Sequence, residues 1–149
     1  MAIYYAIYKV NSGEIVDVRP ILDKITDSSL DYVNVNEEQK NAILLDFDRY
    51  RVDRENFDLI QLCDSDVEAI RFDRISKRRQ TLLDKTDWLV LRHREQKLTG
   101  ETTLTDNQYR LILEYRDNLR HMFELETFDV NNPKWPPVPI DVKKYLENL

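Results

Sequence analysis

The chain has 149 residues, a net charge of −6, and 34% charged against 42% hydrophobic residues. A chain of that length forms one domain, or a small domain with an appendage, and can bury about 68–70% of its unfolded surface; its hydrophobic share excludes intrinsic disorder. With only Gly13 and Gly100 there is no glycine-rich phosphate loop, and the single Cys63 cannot form an internal disulfide.

From the first residues, "IYYAIYKV" and "IVDVRP" read as two strands joined by the turn Asn11-Ser12-Gly13, with Pro20 ending the second. Residues 21–35 read as irregular, with a turn at Asp27-Ser28-Ser29. "NEEQKNAILLDF" predicts a short helix capped by Asn36 with acids in its first turn. A second hairpin is expected around Asp53–Asn56, flanked by Tyr50 and Val52 and by Phe57 and Leu59.

From Ser65 the period becomes helical. Ser65 and Glu68 form a capping box, and Ala69, Phe72, Ile75, Leu82 and Leu83 share a stripe, which predicts a helix over 66–84. Arg79 falls on that stripe and requires an acidic or carbonyl partner. Leu89–Leu98 predicts a shorter helix closed by Gly100, so that Trp88 follows a helix end. Thr105 and Gln108 form a second capping box, Leu104 staples onto Tyr109, and Ile112, Leu113, Leu119, Met122 and Phe123 extend the apolar face. "NNPKWPPVP" places four prolines within residues 133–139, which predicts an extended strap holding Trp135. Val142, Tyr145, Leu146 and Leu149 then mark a short terminal helix that needs a surface to lie on.

The expected fold class is α+β: a β-hairpin-rich unit at 1–64, then a helical hairpin with a proline-rich strap and terminal helix at 65–149. Residues 1–67 carry 7 basic and 14 acidic side chains, so this part repels nucleic acid, while the remainder is close to neutral. Residues 71–97 do hold nine Lys or Arg against four Asp or Glu. Only Phe72 and Trp88 interleave them, too few aromatics for base stacking, so nucleic-acid binding is the weaker alternative. His93 and His121 lack metal-ligand spacing, and the acids Asp46, Asp48, Asp53, Asp58, Asp64 and Asp66 lack the calcium-loop pattern and read as a solvated hairpin edge. Cys63 reads as a buried structural thiol. No cofactor, metal or catalytic residue is expected. The opening "MAIYYAIYKV" lacks a basic leader, and no run reaches the ~18 apolar residues of a membrane span, so a cytosolic protein without membrane contact is expected.

"RRQTLLDKTDW" resembles the R-x-x-L-L-x-x-[ST]-D-W signature of the bacteriophage tail assembly chaperone family, through Arg79, Leu82, Leu83, Thr86, Asp87 and Trp88. The likeness continues through Leu104-Thr105 and "YRDNLR" (Tyr115 to Arg120), and closes with "NNPKWPPVP", similar to the family's N-x-x-W-P-x-x-P; it covers about residues 68–139. Shorter members join the two helices by a brief turn where this chain inserts "LVLRHREQKLTGETT". The resemblance implies a non-enzymatic protein that binds phage tail, tail-fibre or baseplate proteins, either as an assembly chaperone in the host cytoplasm or as a component of the virion tail, with homo-oligomers also open. In these terms Arg79, Asp87, Trp88, Arg116, Trp135, Tyr145 and Leu146 are the expected staple or partner contacts. Arg79 is expected to reach Asp87, Thr86 or Asp87 to cap the next segment, and Arg116 and Arg120 to meet Asp87 or tail carbonyls.

Overall fold

The computed structural model describes residues 2–146, so Leu149 of the expected terminal helix lies outside the described residues. Strands precede helices in an α+β order, and the chain divides into two compact units, Met1–Arg71 and Phe72–Leu149. The boundary therefore falls inside a helix, where the sequence reading placed it at 64/65.

In the first unit, strands β1 (Tyr4–Lys9) and β2 (Ile15–Arg19) form the expected hairpin. Gly13 is required in its turn: its φ is +71°, and a Cβ there would lie 2.3 Å from the Val52 carbonyl oxygen. That close approach lets the Val52 amide donate to the Gly13 carbonyl at 2.9 Å. Residues 21–35 are not all irregular. A strand, β3 (Leu30–Val35), pairs antiparallel with β1 to give the order β2-β1-β3. Its Val33 and Val35 face inward while Asp31, Tyr32 and Asn34 are exposed. The polar residues disguise the alternation, and pairing with β1 overrides their low strand propensity. As the middle strand, β1 buries Ala6, Ile7 and Tyr8 consecutively.

Helix α1 (Glu37–Leu45) begins at Asn36 as expected. The Asn36 side chain accepts from the Gln39 amide, and Gln39 accepts from the Asn36 amide. One 3-10 turn (Phe47–Arg49) leads into the second hairpin, β4 (Tyr50–Val52) with β5 (Leu59–Gln61). Ala6, Tyr8, Ile15, Val33, Val35, Ile43 and Val52 make one core. Three of the acids read as a solvated edge are instead ion-pair partners. Asp46 and Asp48 hold the Arg71 guanidinium at 2.8 and 3.2 Å, and Asp64 holds Arg49 at 2.5 Å.

Helix α2 runs unbroken from Asp64 to Thr99, 36 residues or about 54 Å at 1.5 Å per residue. This corrects three expectations. Ser65 lies inside the helix rather than capping it. Cys63 stands just before it, exposed rather than buried, with its Sγ 3.1 Å from both Ser65 Oγ and Asp66 Oδ2. The two predicted helices, 66–84 and 89–98, are one, so Trp88 sits mid-helix. Gly100 does close the helix, with φ +100° and its amide donating to the Gln96 carbonyl.

The second unit pairs α2 with α3 (Asp106–His121), which starts at the expected Thr105–Gln108 box. The pairing is antiparallel: His93 stacks on Tyr109 and Arg79 meets Arg120. On α2 the seam steps through Ile75, Arg79, Leu82, Thr86, Leu89, His93 and Gln96, each buried or half-buried. Those steps of four and three are the heptad spacing of packed helices. Ile75, Leu83, Tyr115, Leu119 and Met122 form one core, with Trp135 and Val138 packed on it. Leu89, Val90, Leu104, Ile112 and Val142 form a second. Leu113, expected inside, is 36% exposed; Tyr115 and Arg116 take the inner positions instead. Pro133 to Pro139 carries neither helix nor strand, and α4 (Ile140–Leu146) follows with Val142 fully buried.

Candidate interaction site on the helical pair

Arg116 is the centre of the arrangement. It projects from α3 toward α2 with only 8% of its surface exposed. Its guanidinium donates to the Leu83 carbonyl at 2.8 Å and to Thr86 Oγ1 at 2.5 Å, and pairs with Asp87 Oδ1 at 2.5 Å. Three partners within little more than one turn of α2 use the fork of the guanidinium, which a lysine cannot reproduce. Thr86 does not cap a following segment. Buried in the unbroken helix, its hydroxyl turns back to the Leu83 carbonyl at 2.7 Å while accepting from Arg116.

Arg79 does not reach Asp87, which lies eight residues on along the same unbroken helix, about 12 Å away; Arg116 pairs with that carboxylate. Arg79 instead donates to the Arg120 carbonyl at 3.2 Å and lies over the Phe123 ring at 4.3 Å. A carbonyl near the C-terminal end of α3 carries partial negative charge and attracts a cation there, although Arg79 Nε is buried without a hydrogen-bond partner. Trp135 is half-buried, with the Arg78 guanidinium 4.7 Å above its ring. Trp88, Tyr145 and Leu146 are half-buried against the second core. The expected residues from the two halves of the motif thus meet through Arg116, Asp87 and Arg79, and most are spent on holding the helices together. Only Asp87 among them, with its side chain 53% exposed, also reaches open surface.

Beside this staple lies a groove of about 440 Å³, lined by Asp87, Val90, Leu91 and Arg94 of α2 and Leu113, Arg116 and Arg120 of α3. Leu91 is 57% exposed. Asp87 is neutralised by Arg116, and no carboxylate among the described residues pairs with Arg94 or Arg120. Arg94 donates only to the Tyr109 hydroxyl, at 3.3 Å. The groove is therefore apolar in its floor and positive at its rim. Sequence reasoning did not single out Leu91 and placed Leu113 on the inner face of α3; the signal for the groove was the helical spacing of Asp87, Val90, Leu91 and Arg94 beside that of Leu113, Arg116 and Arg120.

The far end of the pair is closed by polar contacts. Gln96 exchanges two 2.8 Å bonds with Thr103, and Lys97 pairs with Asp106 at 2.7 Å. Hydrogen bonding and attraction from Lys97 hold the Asp106 carboxyl below its ordinary range. His93, read as a surface or half-buried histidine, is 2% exposed with neither ring nitrogen hydrogen-bonded. Its ring stacks on Tyr109, with centroids 4.1 Å apart, which explains its place better than ligation does. Among the described residues, no three His, Cys, Asp or Glu side chains group to hold a metal ion, and no helix is long and apolar enough to cross a membrane. Several cations of the basic 71–97 segment are already engaged, Arg71 and Lys77 by carboxylates and Arg78 and Arg79 by rings. No family model, no curated protein and no solved structure matches the chain, so its likeness to the tail assembly chaperones rests on the motif residues alone.

Proposed function

We propose that this chain is a non-enzymatic bacteriophage tail protein that binds other tail, fibre or baseplate proteins, as an assembly chaperone or as a part of the tail. The observation that carries the reading is the use of the motif residues. Arg116, from "YRDNLR", is the residue that grips Leu83, Thr86 and Asp87, from "LLDKTDW". Motif residues that bind one another across the helix pair, as Arg116 does Thr86 and Asp87, work as a folding staple. The surface beside the staple, apolar with a charged rim, has the character of protein-binding patches.

Mass spectrometry of purified particles separates the two forms of the proposal. Stoichiometric copies in the particle make the chain a structural part; absence from particles, with a tail protein bound to it in infected cells, makes it an assembly factor. Binding to DNA whose affinity falls steeply with salt, in place of any tail-protein complex, would instead favour a nucleic-acid role.

A further inference from the structure

We propose that the groove between α2 and α3 receives helix α1 of a second copy of this chain. The proposal does not depend on the tail reading. Helix α1 presents an outward stripe that its own core does not use. Glu37, Glu38, Asn41, Leu44 and Leu45 are all exposed, Leu44 by 53% and Leu45 by 88%. Glu37 and Leu44 are seven residues apart, as are Glu38 and Leu45, so the acids and leucines lie on one face about 10 Å apart along the axis. Lys40 only loosely accompanies Glu37, at 3.8 Å.

The groove offers the complement. Its exposed leucines are Leu91 and Leu113, 57% and 36% exposed, and its uncompensated cations are Arg94 and Arg120. Leucines set against leucines and two carboxylates set against two guanidiniums satisfy both surfaces, whereas groove against groove would bring like charges together. The Asn36–Gln39 capping box already fixes α1 as a helix, so little ordering is lost on docking. Stripe and groove are different surfaces, so the contact is head-to-tail and closes into a ring or extends as an open row. A nine-residue helix buries far less than the ~1,600 Å² of a standard interface, so the association is weak in dilute solution and strengthens where copies are held close.

The test is sedimentation velocity of the full chain from about 5 to about 500 µM, a range suited to a small interface. The weight-average sedimentation coefficient should rise with concentration, and rise less at high salt. Arg94→Glu with Arg120→Glu should weaken association about tenfold or more, as should Glu37→Arg with Glu38→Arg. An equimolar mixture of these two variants should associate again, because each then offers the other a complementary partner. Leu45→Ser, at a side chain too exposed to hold the fold, should weaken it without changing the circular dichroism spectrum. A chain that stays monomeric at the highest concentration would overturn the proposal. So would association indifferent to both charge reversals, or a mixture of the reversed variants that remains monomeric.

Discussion

Replacing Arg116 by Met tests the staple most sharply. Methionine keeps most of the buried stem volume while removing the guanidinium. The bonds lost are those to the Leu83 carbonyl and Thr86 hydroxyl and the pair with Asp87. Breaking a fully buried pair costs about 3–5 kcal/mol, but less where the stranded partner regains water. The Asp87 side chain is 53% exposed, and Thr86 keeps its own bond to Leu83, so the cost should be about 2–3 kcal/mol. Both tryptophans, Trp88 and Trp135, belong to the second unit, so their fluorescence during urea unfolding follows that unit alone. The midpoint should fall by about 1–2 M at unchanged slope. Combining Arg116→Met with Asp87→Asn in a double-mutant cycle should give a coupling of about 1–2 kcal/mol. A midpoint unmoved by Arg116→Met, or zero coupling to Asp87, would show that the contacts are present but carry no stability.

Gly13→Ala should destabilise the first unit by about 2–4 kcal/mol, from left-handed backbone strain plus the clash with the Val52 carbonyl; hydrogen exchange of the β1 and β2 amides would reveal it, and unchanged protection would contradict it. His93→Leu should leave the melting temperature unchanged or raise it. It removes two buried nitrogens that make no hydrogen bond and cost about 1–3 kcal/mol, against a ring stack of about 0.5–1.5 kcal/mol; a marked fall would mean that the 3.7 Å approach of His93 Nε2 to the Asp106 carboxylate holds the imidazole in place. Because the Asp106 carboxyl is held below its ordinary range, first by the Lys97 hydrogen bond, its stabilising effect is complete above the unfolded pKa near 3.9 and is lost as pH falls through the lower folded value. Asp106→Asn should therefore lower the melting temperature at pH 7 and make no difference once both forms are protonated at strongly acid pH; a deficit that persists there would point to capping geometry instead of charge.

Much of this fold was legible wherever a local rule decides the outcome. Gly13 announced a tight turn, and Asn36 and Thr105 announced helix starts through side-chain caps that need no tertiary partner. β3 was not legible, because Asp31 and Asn34 are poor strand residues that become strand only by pairing with β1. The unbroken α2 was hidden by its own seam. Arg79, Thr86 and His93 recur every seven residues where apolar side chains are expected, and Thr86 with Asp87 read as the cap of a new segment, which split the helix there. They belong to a packed heptad whose polar members each meet a group across the pair: Thr86 meets Arg116, Arg79 the Arg120 carbonyl, and His93 the Tyr109 ring. Arg79 was read as needing an acidic or carbonyl partner and has the Arg120 carbonyl; Asp87 was out of its reach because the helix carrying both runs on without the expected break.

Deletion of the gene from the genome that carries it, followed by electron microscopy and protein composition of the phage particles produced, tests the proposed function most directly. A tail protein of the proposed kind predicts particles whose tail, fibres or baseplate are missing or malformed, restored by the wild-type chain supplied from a plasmid. Particles of normal form, composition and infectivity would contradict it.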